Sequence, residues 1–226
     1  MTIFVMRLAP GSFAEVYRRL LHAYGDLHWW PAETPDQVAI GAILTQNTSW
    51  KNVERAMQNL ISAGLDRLDA IAVTGAEELS ALIRPSGFYR QKSARLISFS
   101  KAVCSAGGLM ALSGDEERAE RVLSSISGVG RETLTSIMLY ALNFRRFVVD
   151  KYTLRVFSRL GLGDFSRNTR ALEDMVLGER EWTVDELKNY HACIVELAKE
   201  HCRKEPVCTG CPLSDACSYA MERMFP

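Results

Sequence analysis

Helix start signals recur along this chain, each followed by apolar residues at three- and four-residue spacing, and that pattern leaves room for little except helices. Ser12 and Glu15 form a capping-box pair around Phe13, Val16, Tyr17, Leu20, Leu21 and Tyr24, which share one helical stripe. Thr34 offers an N-cap with Pro35 at the first helical position, ahead of Val38 and the run AIGAIL. Thr183 and Glu186 repeat the box before Leu187, Tyr190, His191, Ile194, Val195 and Ala198. Breaks fall at Pro85-Ser86-Gly87, Gly107-Gly108, Ser113-Gly114 and residues 161–163. Residues 147–149 alone have β character, and three residues cannot found a sheet. The expected class is all-α, without internal repeats, low-complexity tracts or long linkers.

With 226 residues, 47% of them hydrophobic, the chain can bury one good core or two small ones. No apolar run approaches the roughly 18 residues of a membrane span. The start MTIFVMRLAP lacks a basic segment leading into a long apolar one, so a cytoplasmic location without membrane association is expected. Twenty-seven basic residues balance 27 acidic ones, which gives no global reason for a polyanionic partner. Local runs exist nonetheless. Arg84, Arg90, Lys92, Arg95 and Lys101 have no acid among them, and Arg145, Arg146, Lys151, Arg155 and Arg159 face only Asp150. Taken alone, such runs are usually solvated helix faces.

Two features carry more chemistry. In ISGVGRETL, residues 126–134, the sequence Ser-Gly-Val-Gly joins a helix ending near Val122, Leu123 and Ile126 to an amphipathic one marked by Leu134, Ile137, Met138, Ala141 and Leu142. Glycines allow a tight turn and a close approach, and the following helix offers free N–H groups and a positive dipole end, which suits a phosphate. At the C-terminus HCRKEPVCTGCPLSDAC holds Cys202, Cys208, Cys211 and Cys217, separated by five, two and five residues. Four thiolates so spaced can wrap one metal centre, and an iron–sulfur cluster and zinc are both compatible. Disulfides are the poorer reading for a cytoplasmic chain. Cys104 and Cys193 stand apart and are expected as buried small apolar residues.

Together ILTQNTSW at 43–50, SGVGRET at 127–133, VVDKYTLRVFSRLG at 148–161 and the four terminal cysteines resemble the helix-hairpin-helix DNA glycosylases of the endonuclease III superfamily, over residues 29–217. The resemblance implies an all-α, two-domain helix-hairpin-helix fold flanking a DNA-binding cleft. Residues 35–144 would form the helical domain with the hairpin, and residues 1–34 with 145–226 the second. It also implies a C-terminal [4Fe-4S] cluster loop on Cys202, Cys208, Cys211 and Cys217, with zinc as the alternative metal. The first cysteine interval is one residue shorter than in typical endonuclease III. The partner implied is double-stranded DNA containing a damaged base, met by a monomer.

Bifunctional members of this superfamily carry, two residues after the hairpin, a lysine that forms a Schiff base with the sugar. Here that residue is Glu132, which cannot, so the route to strand cleavage closes and a monofunctional glycosylase is expected. WWP at 29–31, ILTQNT, RPSGFYRQK at 84–92 and VVDKY look like the branch that excises 3-methyladenine, which also carries glutamate there. The expected function is thus a base excision repair enzyme hydrolysing an alkylated purine such as 3-methyladenine from DNA. The alternatives are an endonuclease III-like glycosylase and AP lyase acting on oxidised pyrimidines, and a catalytically silent DNA-binding protein.

Roles follow. Breaking an N-glycosidic bond develops positive charge on the sugar, which a nearby carboxylate stabilises. Asp150, entering the helix that bears Leu154, Phe157 and Leu160, is the catalytic candidate and also a natural N-cap. A base must leave the duplex before it is cut. By resemblance Gln46 is the wedge, assisted by Asn47, and Gly128, Gly130 and Arg131 meet a DNA phosphate. Trp29, Trp30 and Trp50 can stack on a cationic methylated purine, with Trp29 and Trp50 favoured as the two faces and Glu132 near the pocket. His191, on its apolar stripe, reads as a hydrogen-bonded core histidine.

Overall fold

The computed structural model describes residues 13–30 and 32–224. Ser12 of the first capping box, Pro31 of the WWP stretch and the start MTIFVMRLAP lie outside the described residues. In chain order the helices are α1 (Phe13–Tyr24), α2 (Pro35–Leu44), α3 (Trp50–Ser62), α4 (Leu68–Val73), α5 (Ala76–Leu82), α6 (Tyr89–Ser105), α7 (Leu109–Leu112), α8 (Glu116–Ser124), α9 (Arg131–Ser136), α10 (Lys151–Leu160), α11 (Thr169–Glu179), α12 (Val184–Glu200) and α13 (Ser218–Met224). No strand occurs among the described residues, and residues 147–149 are extended without a partner strand. Nor is any described helix long and apolar enough to cross a membrane. The helices form two compact units, one of Trp30–Phe144 and one of the residues up to Trp29 with those from Arg145 onwards.

In the unit of Trp30–Phe144, Thr34 caps α2 by accepting from the Gln37 N–H at 3.2 Å, and Pro35 occupies the first turn where no N–H is needed. Every side chain of α2 from Gln37 to Leu44 is buried, as its continuous apolar run requires. It packs against α3, α6, α9 and the segment after α9, while α4 and α5 pack on α6. The helix expected to be amphipathic after the hairpin is not. All residues from Thr133 to Leu142 are buried, and Ile137–Ala141 winds as a π-helix, closed by the Leu142 N–H donating to Ile137 O five residues back at 3.1 Å. Cys104, expected inside, is exposed, because the buried stripe of α6 runs through Leu96, Phe99, Ser100 and Val103 and leaves position 104 outside it.

The second unit is built on α12, against which α1 and α10 pack. Its capping box is complete, with the Glu186 N–H donating to Thr183 Oγ1 at 3.1 Å and the Thr183 N–H to Glu186 Oε2 at 2.9 Å. Tyr190 sits at the centre, its ring 5.1 Å from Tyr17 and 5.2 Å from Phe147, and its buried hydroxyl donates to Phe13 O at 2.9 Å. Cys193 is fully buried, as expected. Arg146 and Glu173 form a buried ion pair at 2.7 Å that also ties α11 to the extended segment before α10.

Candidate functional site

Within the unit of Trp30–Phe144 the hairpin follows from its glycines. Gly128 has φ +85°, a backbone that L side chains rarely adopt, and the Val129 N–H donates back to Ile126 O at 3.1 Å. Gly130 is extended and serves as N-cap of α9, whose first turn carries Arg131 and an exposed Glu132. Arg131 lies 3.7 Å from Glu120. The loop leaving α2 comes to this turn. Asn47, with φ +54°, reverses the chain after the helix, and Gln46 turns onto the hairpin. Gln46 Nε2 donates to Gly128 O at 3.1 Å and to Thr133 Oγ1 at 2.9 Å, while Arg95 Nη1 donates to Gln46 Oε1.

A buried lysine anchors the same loop. Lys92 is 2% exposed and donates to Leu44 O at 2.8 Å and Ser86 O at 2.7 Å, so it satisfies the last carbonyl of α2. Burial, and then the charge of Arg95, push its ammonium down to about 8. Sequence reading placed Lys92 in a basic run and gave it no separate role.

Aromatic residues gather in this unit as well. Trp30 meets Trp50 edge-on with ring centroids 5.5 Å apart, and lies 4.9 Å from Tyr140. The Trp30 indole lies over Gly41 of α2, where a Cβ would stand at ordinary contact distance, 3.6 Å, from the ring. Tyr140 was not singled out in the sequence because it reads there as one more core position, and the π turn that carries it has no periodic signature. Phe88 was missed too. It is 63% exposed with φ +47°, next to Tyr89, whose ring carries Arg84 and Arg90 at 5.9 and 6.0 Å. A large exposed aromatic in a left-handed conformation is a feature to explain, and Gly87 before it was the available signal.

In the other unit Asp150 caps α10, its Oδ1 accepting from the Tyr152 and Thr153 N–H groups at 2.9 and 2.8 Å. Burial alone would push this carboxyl up. The interaction with His191, whose Nε2 lies 3.9 Å from Oδ2, and the Thr153 N–H outweigh it, and the net shift is below the ordinary value. His191 is buried, as expected, and lies beside the catalytic candidate. Trp29 lies in this unit with Lys199 Nζ 4.7 Å from its ring centre.

The cysteine loop is fastened to α10. Arg159 donates to Arg203 O at 2.5 Å, to Lys204 O at 3.0 Å and to Cys202 Sγ at 3.4 Å, and Arg155 donates to Cys202 O at 2.7 Å. Burial raises the Cys211 thiol to about 11, and the neighbouring Cys217, Cys202 and Cys208 add to the rise. Four cysteines are, by residue type, a donor set that an iron–sulfur cluster or zinc would take as thiolates. Among the described residues no three His, Cys, Asp or Glu side chains gather closely enough to hold a single metal ion.

The chain is similar to known proteins over most of its length. A Methanocaldococcus jannaschii protein described as a DNA repair glycosylase is 42% identical over 90% of this chain and 94% of its own length. The thymine-DNA glycosylase of Aeropyrum pernix is 26% identical over 94% of this chain and 97% of its own. Among solved structures, the 3-methyladenine DNA glycosylase MagIII of H. pylori bound to 1,N6-ethenoadenine is 27% identical, with a TM-score of 0.67 over 82% of this chain and 96% of the other. A non-covalent endonuclease III–DNA complex matches the fold with a TM-score of 0.78 over 97% of this chain and 100% of the other, at 21% identity. Residues 40–176, which run from α2 through the hairpin and Asp150 into α11, match the family model described as HhH-GPD superfamily base excision DNA repair protein, and the chain belongs to that superfamily.

Proposed function

We propose that this protein is a monofunctional DNA N-glycosylase that releases an alkylated purine, of which 3-methyladenine is the type. The observation that carries the reading is Asp150, a buried carboxylate held in its ionised form at the start of α10. In the proposed reaction the bond between C1′ and the base nitrogen breaks with its electron pair leaving on the base. A cationic methylated purine thereby departs neutral, the positive charge passes to the sugar, and water adds to C1′ and gives its proton to solvent. Asp150 stabilises that charge.

The unit of Trp30–Phe144 supplies extrusion and recognition in this reading. Gly128, Gly130 and Arg131 meet a backbone phosphate, Gln46 fills the space the base leaves with Asn47 shaping its loop, and Phe88 stacks against exposed bases. Trp30, Trp50 and Tyr140 offer electron-rich faces to a cationic purine. Glu132, where a Schiff-base lysine would stand, supports hydrolysis without strand cleavage. The 27% likeness to the 3-methyladenine enzyme favours the alkylated purine. The likeness to a thymine-DNA glycosylase makes thymine in a mismatch the second reading. We further propose that Cys202, Cys208, Cys211 and Cys217 hold a [4Fe-4S] cluster, which when bound supplies thiolate bonds that brace the C-terminal loop. Metal analysis and the visible spectrum separate it from zinc.

The decisive experiment is chromatography of the free bases released from methylated duplex DNA, from duplexes with a G·T mismatch and from duplexes with oxidised pyrimidines, comparing the native protein with Asp150→Asn. Release of methylated purines by the native protein alone is expected. Release of thymine or oxidised pyrimidine instead reassigns the substrate, and full turnover by Asp150→Asn overturns the mechanism.

A further inference from the structure

The side-chain amide of Gln46 has no free donor. Its two N–H groups go to Gly128 O and Thr133 Oγ1 at 3.1 and 2.9 Å, and its oxygen accepts from Arg95. Glutamine at the end of a helix normally loses rotamer freedom only at a cost, because three side-chain torsions must be fixed. Here one charged donor and two neutral acceptors fix them. Arg95 does more than donate, because its stem lies against the hairpin. A Cβ at Gly128 would stand only 2.7 Å from Arg95 Cδ and would overlap the guanidinium beyond it. Arg95 thus occupies the space a side chain at Gly128 would take, beside a φ of +85° that any L residue there would adopt only with strain. Three helices and the turn meet at one point through this residue, since Arg95 stands on α6, Gln46 follows α2, and Thr133 lies on α9. One turn earlier on α6, Lys92 holds the carbonyl that ends α2. One face of α6 thus sets both the base and the tip of the Gln46 loop.

We propose that Arg95 is a positioning residue that locks Gln46 in a fixed register with the hairpin, so that docking of the hairpin on the DNA backbone places the Gln46 amide where the extruded base was stacked. This rests on the reading of Gln46 as the wedge. A rigid amide enters the base stack with its torsions already set, whereas a mobile one must be ordered during extrusion. In this proposal Arg95, whose guanidinium is engaged with Gln46 and packed on Gly128, acts through Gln46 and not on the DNA.

The test has two parts. In the free protein, the side-chain amide protons of Gln46 are followed by NMR relaxation and hydrogen exchange. Arg95→Ala is expected to free the amide, with Arg95→Lys, which retains one donor, in between. Equal mobility in native and Arg95→Ala protein overturns the proposal. On DNA, 2-aminopurine beside the base that the protein excises reports unstacking, with thermal unfolding checking that each variant folds. Arg95→Ala is expected to slow the fluorescence rise about tenfold, the loss expected for one charged hydrogen bond. The salt dependence of binding should not change. In a Gln46→Ala background Arg95→Ala should have no further effect, and a further loss there, or a shallower salt slope, shows a direct DNA contact and overturns the proposal. If Gln46→Ala leaves unstacking unchanged, the wedge reading itself fails. If Gln46→Ala slows it and Arg95→Ala does not, only the role of Arg95 fails.

Discussion

The carboxylate of Asp150 is held by the same two backbone N–H groups that open α10, so a substitution there tests helix capping and negative charge together. Asparagine separates them, because it caps a helix about as well as aspartate while carrying no charge. Asp150→Asn is therefore expected to keep its unfolding temperature and lose base release, whereas Asp150→Ala also loses the cap, about 1 kcal/mol. A large fall in the unfolding temperature of the asparagine variant would show that the charge serves stability instead. Lys92 makes a pH prediction of known sign. Its folded pKa of about 8 lies below the ordinary 10.5, so between those values the unfolded chain holds a proton that the folded chain has released. Stability should rise as pH increases from 8 to 10.5, by up to about 3 kcal/mol, and the gain should be absent below 8. A neutral amine keeps two N–H donors for Leu44 O and Ser86 O, so the anchor survives the loss of charge. Urea unfolding across that window, native against Lys92→Met, checks it. The variant should be less stable by about 1–3 kcal/mol, since two buried carbonyls lose their donor, and should lack the rise.

Among the elements, α10 links the catalytic candidate at its N-terminus to the cysteine loop at its last turn. Arg159 holds that loop through two carbonyls and the Cys202 sulfur, and its guanidinium lies 4.8 Å from the Tyr219 ring centre. Arg159→Ala should leave the start of α10 intact and loosen the loop. The expected outcome is faster loss of visible absorption and of iron to a chelator than in the native protein, with Arg159→Lys intermediate. An unchanged rate would show that the four thiolates alone hold the loop. What could be read in the sequence at this scale was what is local. Thr183 with Glu186, Thr34 with Pro35 and Asp150 act within four residues of themselves, so their spacing is their mechanism. The π turn at Ile137–Ala141 keeps an apolar character that any buried helix would have, and nothing local records its extra residue. Arg95 and Gln46 lie 49 residues apart, a pairing that only the tertiary fold creates. Resemblance supplied the candidate residues, and the packing supplied their partners: Tyr140 for Trp30, His191 for Asp150 and Arg159 for Cys202.

For the molecule as a whole, zero net charge means that binding to DNA must come from whichever cations remain available after internal pairing. The two basic runs differ sharply in this respect. In the second, Arg145 meets Glu181 at 2.5 Å, Arg146 is buried on Glu173, and Arg155 and Arg159 hold the cysteine loop, which leaves Lys151 exposed. In the first, Lys92 and Arg95 are engaged internally, but Arg84, Arg90 and Lys101 are exposed. Sequence spacing made the runs look equivalent, and burial separates them. With Arg84, Arg90, Lys101 and, from the hairpin, Arg131 meeting phosphate, the logarithm of the binding constant should fall with the logarithm of salt concentration with a slope of about −3.6. Each phosphate contact removed takes about 0.9 from that slope, so Arg84→Ala with Arg90→Ala should reduce it by about 2. Arg145→Ala should leave the slope unchanged, because its partner Glu181 already screens it. Titrations of an undamaged duplex at several salt concentrations decide the matter. A slope that responds to Arg145 and not to the Arg84 and Arg90 pair would place the DNA on the other run and remove the basis for assigning Phe88, which stands between Arg84 and Arg90, to the bases.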